Sequence, residues 1–599
     1  MQTAEHILQA MRRLGEKRMP LTRVYRSLYS KDLFLTAYDK VARNQGALTA
    51  GVDDDTVDGM SLKRIRKVIE ALRSERYRFK PARRVYIPKK SGGKRPIANP
   101  SFTDKLVQEA LRMLLEAYYE PQFCDSSHGF RAGHGCHTAL TRVRQKFDGK
   151  AWFIEGDIKG CFDHIDHEVL MDILARDIQD GRLLHLIRMA LEAGYMEDWD
   201  YHKTYSGTPQ GGVLSPLLAN IYLHELDVFV EEELIPRNTR GTKRISTPEY
   251  NRFTTLLNSA RRAGDMKRVK ELEQERRQYP SQDTHDPNYR RLAYVRYADD
   301  FILGFAGPKS EAITIKETMG DFLGKHLHLE MSTNKTLITH ARSQQARFLG
   351  YAISVCHDDS KLSDKENTRT KVRSINRRVR LGIPKGLIRE HAHQYQHNGK
   401  IAAEKWLLGY SDAHIILTFQ LRYRGLAEYY KYAVDRRRLS SLKSVMETSL
   451  VKTLAQKYKT TVRKIYRKYR GSRMVNGFEY KTLQVEVPTS NAPRTIYWGA
   501  VPLRVVIPGN ETIQDQRYQE TYNRRTDLVK RLEADKCELC ESQENIEVHH
   551  IRKLAPLKKP GRKEKPVWMK RMIALHRKTL VVCGSCHTAI HAGRPTLNH

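Results

Sequence analysis

The sequence predicts an α+β protein of several domains, and three observations lead to this prediction. The chain has 599 residues, which at roughly 100 to 200 residues per domain suggests three to five folding units. Apolar strand patterns and amphipathic helical patterns both occur before about residue 360, whereas helical patterns dominate between about 402 and 469. Two C-x-x-C pairs near the end of the chain indicate a small metal-stabilised unit.

The chain is strongly basic along its whole length. It has 105 lysine and arginine residues against 69 acidic residues, which gives a formal net charge of +36. A basic surface binds phosphate backbones through counterion release, whereas solubility needs a net charge of only about 2 to 8 in a small domain. We therefore expect a nucleic acid partner. We also expect a soluble, intracellular protein without a membrane partner, because the sequence shows neither a membrane-spanning apolar run nor a signal peptide.

Changes in composition and periodicity divide the chain into consecutive parts. In chain order these are a basic helical extension (1–75), a mixed region (76–360) with a polar insertion at about 236–291, a helical region (361–470), a small basic module or linker that we expect to bind DNA (471–530) and a metal-binding region (531–599). Within the mixed region, Pro81 and Pro88 flank a short extended segment, and a glycine turn between cations follows it. This pattern predicts a β-hairpin with a basic tip.

Three aspartates lie at the ends of predicted strands. The apolar residues 152–154 predict a buried strand that leads to Asp157, and apolar strands on both sides of Asp299 and Asp300 predict a tight hairpin with two carboxylates at its turn. An isolated Asp–Asp pair more often caps a turn, but unpaired carboxylates between apolar strands are costly without a cation. Carboxylates at two strand ends can bind two Mg²⁺ ions, the arrangement that nucleotidyl transfer uses.

Four stretches in chain order match a known family. They are residues 155–163, 207–216, 297–300 and 347–351, which read EGDIKGCFD, GTPQGGVLSP, YADD and RFLGY. At these residues the chain resembles reverse transcriptases, and specifically the proteins encoded by group II introns. The resemblance extends over essentially the whole chain. It implies a right-hand polymerase fold, with fingers and a palm built from antiparallel sheet and helices, and with an α-helical thumb or maturase domain.

The resemblance also implies roles for single residues. Asp157 and Asp299 would bind two Mg²⁺ ions, with Asp300 supporting them. Phe162 would lie under the incoming sugar and exclude a 2′-hydroxyl, so that the monomers would be dNTPs; ordinary core packing is the alternative for this ring. The residues implied to bind the dNTP are Lys89, Arg95, Phe162, Gln210 and Lys335. For the two hairpin cations in this set, the alternative is a solvated tip.

The helical region between Trp406 and Tyr469 resembles the thumb or maturase domain of this family, which binds intron RNA and the primer–template. Aromatic residues among cations suit contact with RNA by stacking and charge. Packing of the tyrosines in the helical core is at least as good an interpretation of Tyr429 and Tyr430. Gln420 stands where the family pattern leads us to expect asparagine.

The last region carries the cysteine pairs. Their C-x-x-C spacing lets two thiolates from one turn reach a tetrahedral Zn²⁺ ion. The cysteines are Cys537, Cys540, Cys583 and Cys586. A unit of roughly seventy residues needs such a cross-link to fold alone. We therefore expect a structural Zn²⁺ ion.

Histidines accompany the cysteines. His587 and His591 are spaced i and i+4, which places both imidazoles on one face of a helix. Together with His549 they would provide three ligands of a catalytic divalent metal, Mg²⁺ or another. His550 would then be the general base that activates water against a phosphodiester. This pattern resembles an HNH, or ββα-metal, endonuclease, although Thr579 stands where many such proteins carry the asparagine that orients the base.

The resemblance as a whole implies a multifunctional protein. It would bind its intron RNA, assist splicing, cleave target DNA and use the freed 3′ end to prime reverse transcription, with intron RNA, target DNA and dNTPs as partners and a homodimer left open. We expect it in the bacterial cytoplasm, associated with the nucleoid, rather than in an organelle.

Two alternatives are a reverse transcriptase of another retroelement or defence system and an RNA-binding splicing cofactor with a vestigial polymerase. The helical domain followed by a nuclease argues against the first. The complete set of polymerase residues argues against the second.

Overall fold

The computed structural model describes most of the chain. The described residues are 3–44, 46–88, 92–197, 200–202, 204, 207, 211–284, 286–333, 335–358, 360–361, 363–364, 371–372, 375–488, 492–507, 527–558 and 565–594. The helices are Ala4–Glu16, Lys31–Ala42, Leu62–Arg73, Phe102–Tyr119, Cys136–Lys146, Cys161–His164, His167–Asp177, Gly181–Glu192, Ser215–Val228, Ile235–Arg237, Pro248–Arg262, Met266–Arg276, Lys309–Leu327, Leu387–His393, Asp412–Tyr429, Leu439–Lys457, Val462–Tyr469, Asp527–Glu533, Ala555–Lys558, Val567–Ala574 and Gly584–Ala592. The strands are Ala82–Pro88, Lys94–Asn99, Ser127–His128, Trp152–Asp157, Tyr195–Glu197, Asp200–His202, Arg291–Tyr297, Asp300–Ala306, Leu337–His340, Ala346–Phe348, Tyr351–Val355, Ser363–Asp364, Lys371–Val372, Val379–Gly382, Gln396–His397, Lys400–Ile401, Arg470–Val475, Phe478–Val487, Arg494–Gly499, Ile546–His550 and Thr579–Cys583. This mixture of helices and mainly antiparallel strands confirms the predicted α+β class.

A mostly antiparallel sheet, which we call the central sheet, organises the mixed region. Its strand order is Ser127–His128, Arg291–Tyr297, Asp300–Ala306, Trp152–Asp157 and Leu337–His340. Ile154 and Leu303 join one hydrophobic cluster, whereas Phe153 and Ile302 join another. The middle strands are apolar at successive positions because the sheet is covered on both faces. The two cores hold the ends of these strands in place.

A smaller sheet contains the predicted basic hairpin. Its strands Ala82–Pro88 and Lys94–Asn99 pair antiparallel from Arg83 opposite Asn99 to Pro88 opposite Lys94, and Tyr195–Glu197 and Asp200–His202 extend the sheet. The paired strands confirm the hairpin. The predicted basic tip at residues 89–91 lies outside the described residues.

The N-terminal helices pack against helix Phe102–Tyr119. Helix Ala4–Glu16 begins after Thr3, whose side chain accepts a hydrogen bond from the His6 amide. It approaches the longer helix closely at Gly15, where a Cβ atom would lie 1.9 Å from the carbonyl oxygen of Tyr118. The part of the chain predicted as a basic extension therefore shares a core with the mixed region.

The polar stretch within the mixed region forms a pair of helices. Pro248–Arg262 and Met266–Arg276 pack against each other, and Leu257, Val269 and Leu272 form a small hydrophobic cluster between them. A local core of this kind lets an inserted helical pair fold without burying surface against the central sheet.

The helices Asp412–Tyr429, Leu439–Lys457 and Val462–Tyr469, which we call the C-terminal helices, are followed by a sheet. The sequence predicts a module or linker at this place. The strands Arg470–Val475, Phe478–Val487 and Arg494–Gly499 form an antiparallel sheet that packs on helix Asp412–Tyr429. Of the two alternatives that the sequence leaves open, the structure up to residue 499 agrees with a small module rather than a linker. Apolar residues of these strands are buried at Leu483 and Trp498 but exposed at Met474 and Phe478, so the sequence shows no regular alternation of apolar and polar positions.

One side chain attaches this sheet to the helix. Gln420, which replaces an expected asparagine, is buried. Its Nε2 donates to the carbonyl of Gly499 at 3.0 Å, and its Oε1 accepts from the Gly499 amide at 2.9 Å. The substitution thus gives this residue a structural partner within the same chain.

The last unit contains the strands Ile546–His550 and Thr579–Cys583, which pair antiparallel, followed by helix Gly584–Ala592. This is the ββα order that the histidine and cysteine spacing predicts. Among the described helices, none combines the length and apolar character needed to cross a membrane.

Candidate functional site

Asp157, Asp299 and Asp300 meet at one end of the central sheet. Asp157 is the last residue of its strand and pairs in register with Asp300, the first residue of the neighbouring strand. Tyr297 pairs with Asp300, so Ala298 and Asp299 form a two-residue hairpin turn. Ala298 has the left-handed backbone conformation, with a φ of 54°, that such turns require. The predicted hairpin is confirmed.

The carboxylates of Asp157, Asp299 and Asp300 are partly buried and repel one another. Burial raises the pKa of Asp299, and the negative charge of Asp157 adds to the increase. Burial also raises the pKa of Asp300 to about 7, with further contributions from Asp299 and Asp157. A divalent cation relieves this repulsion, and carboxylate oxygens are ligands that Mg²⁺ prefers. The donor set therefore fits a divalent metal.

Lys335 brings a positive charge to the same place. Its Nζ atom lies 2.7 Å from Asp157 Oδ2, and this hydrogen bond raises the pKa of Lys335. The lysine side chain is 67% exposed, so it can turn from Asp157 toward an anionic ligand. The predicted triphosphate contact is compatible with this position.

A buried arginine, Arg296, holds the turn formed by Ala298 and Asp299 in position. Arg296 and Asp227 are both fully buried and form a bidentate ion pair, with distances of 2.6 Å from Nη2 to Oδ2 and 2.8 Å from Nε to Oδ1. Arg296 also donates to the carbonyl of Ala298 at 2.9 Å. The arginine thus connects helix Ser215–Val228 to the turn that carries Asp299. Sequence reasoning missed this residue, although a cation inside an apolar strand is a recognisable signal.

Arg296→Met is expected to lower the free energy of unfolding of the region built around the central sheet by about 3–5 kcal/mol, because it leaves the Asp227 carboxylate buried without its partner. Urea denaturation followed by tyrosine and tryptophan fluorescence measures this change. The double variant Arg296→Met/Asp227→Leu is expected to recover much of the loss, since removal of both charges is often neutral. An equal loss in the single and double variants would contradict a role of the ion pair.

Two of the predicted nucleotide-binding residues lie near the carboxylates. Arg95, on the second strand of the smaller sheet, opposes the increase in the pKa of Asp299 through its positive charge. Phe162 belongs to the short helix Cys161–His164, which follows Asp157. Its ring is partly exposed and lies edge-on to Phe130, with 6.0 Å between the ring centroids. A partly exposed ring is available to a ligand, unlike one enclosed in the core.

Lys89 and Gln210 lie outside the described residues. Gly211, which follows Gln210, shows how closely this segment approaches the smaller sheet. Gly211 has a φ of 112°, and a Cβ atom there would lie 2.4 Å from the carbonyl oxygen of Ala98. Only glycine allows this segment to approach the smaller sheet so closely.

Tyr429 and Tyr430 join the C-terminal helices to the strands beside the central sheet. Their hydroxyl groups donate to the carbonyls of Leu349 at 2.6 Å and Gly350 at 2.9 Å, respectively. These contacts favour the packing interpretation of both tyrosines. The RFLGY stretch and the tyrosine pair therefore form one junction within the chain.

The four cysteines near the end of the chain converge. Their sulfur atoms all lie within 4.8 Å of one another, and Cys540 Sγ is 3.5 Å from Cys583 Sγ. That distance is too long for a disulfide bond. The Sγ atoms of Cys537 and Cys583 accept hydrogen bonds from the amides of Cys540 and Cys586, which stabilises thiolates. The cluster fits a tetrahedral metal with sulfur ligands.

The predicted histidine ligands also converge, and an aspartate joins them. The ligand atoms of Asp58, His549, His587 and His591 all lie within 4.8 Å of one another. Both ring nitrogens of His549, which is 4% exposed, lack a hydrogen bond among the described residues. A buried polar atom without a partner is costly, and a metal ion would provide one. This cluster therefore fits a divalent metal.

A second carboxylate orients one of these histidines. His587 Nδ1 lies 2.8 Å from Glu547 Oε2, so the opposite nitrogen of this ring faces the cluster. Metal-binding histidines commonly have such a carboxylate partner. Sequence reasoning missed both Asp58 and Glu547. Glu547 lies two positions before His549 on the same strand, and that period-two spacing was an available signal.

His550, the predicted general base, is buried beside the cluster. Burial lowers its pKa to about 4, so its imidazole is neutral at neutral pH, as a base requires. Thr579 lies opposite His550 in the strand pair, but its hydroxyl accepts a hydrogen bond from Arg531 at 3.0 Å. His550 Nε2 instead lies 3.0 Å from the hydroxyl of Tyr38. Tyr38 therefore holds the ring in this conformation.

Comparison with protein families identifies three matching segments. Residues 87–248 match the reverse transcriptase (RNA-dependent DNA polymerase) family. Residues 385–495 match the type II intron maturase family, and residues 537–587 match the AI2M/AI1M-like HNH endonuclease family. Asp299 and Asp300 lie beyond the first segment, and the strand that begins at Asp300 pairs with strand Trp152–Asp157 inside it.

Whole-chain relatives agree with these matches. The group II intron-encoded protein LtrA of Lactococcus lactis subsp. cremoris is 40% identical, with 94% of this chain and 95% of that protein covered. An uncharacterized 91 kDa protein in a cob intron of Schizosaccharomyces pombe is 35% identical over 95% of this chain and 70% of that protein. The putative COX1/OXI3 intron 1 protein of Saccharomyces cerevisiae is 31% identical over 94% and 68%, respectively. The chain therefore belongs to the group II intron-encoded proteins, and it combines an RNA-directed DNA polymerase, an intron maturase and an HNH endonuclease that serve intron splicing and mobility.

Proposed function

We propose that Asp157, Asp299 and Asp300 form the polymerase site of this reverse transcriptase and hold two Mg²⁺ ions. The meeting of these carboxylates at adjacent strand ends carries the proposal. When bound, the divalent metal supplies activation of the primer 3′-hydroxyl and neutralisation of the triphosphate. Strand pairing and Arg296 hold the carboxylates in position. The smaller sheet then corresponds to the fingers, the central sheet to the palm and the C-terminal helices to the thumb.

Deoxynucleotides are the proposed monomers. Arg95 and Lys335 supply positive charge near the carboxylates, and the guanidinium can bind phosphate oxygens in bidentate fashion. Phe162 follows Asp157 with a partly exposed ring, in the place where a flat side chain can exclude a 2′-hydroxyl. Lys89 and Gln210 stay predictions from the sequence.

Phe162→Ala is expected to reduce discrimination against ribonucleotides by on the order of 10-fold or more, because removal of the ring opens space for the 2′-hydroxyl. Single-nucleotide primer extension with dNTP and rNTP measures the ratio of the two kcat/KM values. Phe478→Ala is a suitable control, since Phe478 is 65% exposed and belongs to the sheet after the thumb helices. An unchanged ratio in Phe162→Ala would leave the ring with a packing role only.

RNA contact is proposed for exposed aromatic residues of the thumb region. Trp406 and Tyr410 are about half exposed, and the Arg422 guanidinium lies 5.3 Å from the centre of the Trp406 ring. Exposed rings beside a cation suit stacking with bases of single-stranded RNA. These residues, rather than Tyr429 and Tyr430, are the candidates for the contact that the sequence predicts.

The last unit is proposed to cut DNA through two metal sites with different tasks. Cys537, Cys540, Cys583 and Cys586 would hold a structural Zn²⁺ ion that keeps the two strands and the helix together. His549, His587 and His591 would hold a divalent metal, which when bound polarises the scissile phosphodiester. His550, neutral and next to this site, would take the proton from the attacking water. The cleaved strand then provides a 3′ end for the polymerase.

Sequencing of the RNA that co-purifies with the chain tests the proposed partner. We expect one intron RNA to be enriched and to stay bound after a wash at high salt, since generic phosphate contacts weaken steeply with salt. Recovery of unselected cellular RNA that leaves in the same wash would indicate generic polyanion binding. Sedimentation of the purified complex tests the homodimer, which stays a prediction.

A further inference from the structure

The aspartate in the nuclease cluster comes from the opposite end of the chain. Asp58 lies between the N-terminal helices Lys31–Ala42 and Leu62–Arg73. Its Oδ2 is 2.8 Å from His591 Nε2, and its Oδ1 is 3.3 Å from His587 Nε2 and 3.4 Å from His549 Nδ1. The carboxylate therefore faces all three histidines at once, with a ligand atom directed at the space between them.

Backbone contacts hold Asp58 in this place. The Gly59 amide donates to the carbonyl of Val548 at 3.1 Å, and the Val548 amide donates to the carbonyl of Met60 at 2.8 Å. Residues 58–60 thus pair with strand Ile546–His550 at the edge that Thr579–Cys583 leaves open. The His550 amide also donates to Asp58 Oδ1 at 2.7 Å. The N-terminal segment therefore docks on the strand that carries two of the proposed active-site residues.

The same docking encloses the proposed general base. His550 is 8% exposed, and its Nε2 atom faces the hydroxyl of Tyr38, which is fully buried. A base must reach the attacking water within about 3 Å, and Tyr38 occupies that direction. The Nε2 atom of His550 is therefore closed to water and to a phosphodiester while the N-terminal region is docked.

The number of protein ligands on the metal distinguishes the docked state from an active one. A catalytic metal site of this kind keeps a position open for water or substrate, whereas a site with four protein ligands is closed. The three histidines alone leave a position open. With Asp58 added, a tetrahedral ion such as Zn²⁺ has no open position, and a six-coordinate ion such as Mn²⁺ loses one of the positions that substrate can use.

We propose that Asp58 is a fourth ligand of the nuclease metal, donated by the N-terminal region, and that this ligand holds the nuclease in a closed state that does not cut DNA. The inference rests on the proposed metal site at His549, His587 and His591. Opening requires the Asp58 carboxylate to leave the metal and residues 58–60 to leave the strand edge. A phosphate oxygen of DNA, which is also a hard anionic ligand, can then take the vacated position.

Titration of the full-length protein with Mn²⁺ tests this inference. The wild type and His587→Ala are both purified with Zn²⁺ bound at the four cysteines and are compared by calorimetry. The difference between their Mn²⁺ titrations is the binding that belongs to the histidine cluster. Asp58→Asn is expected to weaken that binding by about 10-fold or more, since the loss of even an outer-shell partner of a metal ligand typically costs about 10- to 100-fold. Asp54→Asn is the matched control, because Asp54 is an exposed carboxylate in the same segment.

Two further measurements distinguish a ligand that holds the nuclease closed, which we call a latch, from a ligand that takes part in catalysis. In Asp58→Asn we expect faster hydrogen exchange at the Val548 and His550 amides. At saturating Mn²⁺ we expect DNA cleavage at least as fast as in the wild type. Reverse transcription by the same variant reports that the chain has folded.

Three results would be adverse. Unchanged Mn²⁺ binding and exchange in Asp58→Asn, with binding lost in His587→Ala, would overturn the inference and leave the proposed nuclease intact. Loss of cleavage in Asp58→Asn at saturating Mn²⁺ would assign Asp58 to catalysis and overturn the latch. Unchanged Mn²⁺ binding in His587→Ala would overturn the metal site itself.

Discussion

Asp299→Ala is expected to abolish cDNA synthesis, with a loss on the order of 10³-fold or more in the rate of nucleotide addition. Asp299 lies at the tip of the hairpin, next to Asp157 and Asp300, where its carboxylate contributes to the charge that binds a divalent metal. Loss of a preorganised electrostatic contact at the reacting centre acts directly on the transition state. Primer extension on an RNA template with Mg²⁺ and dNTPs measures the effect.

The control for this variant is Asp321→Ala, since Asp321 is a 70% exposed carboxylate on helix Lys309–Leu327. It is expected to leave extension unchanged. Splicing assistance and target cleavage by Asp299→Ala should also stay close to those of the wild type, because both depend on other parts of the chain. Persistent cDNA synthesis in Asp299→Ala would show that the metal site is elsewhere.

His550→Ala is expected to slow cleavage of the second DNA strand by on the order of 10²- to 10⁴-fold, the contribution typical of a general base. The imidazole is neutral and adjacent to the metal cluster, so no other described histidine outside that cluster is as well placed to take the proton. Nicking of a labelled DNA target by the purified ribonucleoprotein measures the rate. RNA affinity should not change.

A histidine in the same unit provides the control. His576 is exposed and has a φ of 51°, so His576→Asn keeps a residue that tolerates this backbone conformation. Its cleavage rate should equal that of the wild type. Nicking by His550→Ala at the rate of this control would remove His550 from the mechanism.

Sequence reasoning found the residues for which the functional side chain and the element that positions it lie in the same short stretch of sequence. Asp157 ends an apolar strand, Asp299 occupies a hairpin turn, and Cys537 and Cys540 share one turn, so a short window of sequence contains both the ligand and the element that positions it. The smaller-sheet hairpin was predictable for the same reason, since its prolines and glycines determine the turn locally.

The features that sequence reasoning missed depend on contacts between distant parts of the chain. Asp58 joins His549 only because the N-terminal region docks on the nuclease, and Tyr38 reaches His550 through the same docking. Nothing in a window around Asp58 distinguishes it from the neighbouring aspartates 53, 54 and 55. The sheet at 470–499 was missed because Gln420 and the thumb helix provide its buried face.

We propose that one chain cuts DNA and then extends the cut end by copying its intron RNA. The most direct test incubates the purified ribonucleoprotein with a double-stranded DNA target, Mg²⁺ and dNTPs, and sequences across the cut. We predict DNA molecules in which the 3′ end of the cleaved strand continues covalently into cDNA of the bound RNA, and none of them with Asp299→Ala. Cleaved target and cDNA that are both produced but never joined would show that the cut end does not prime reverse transcription.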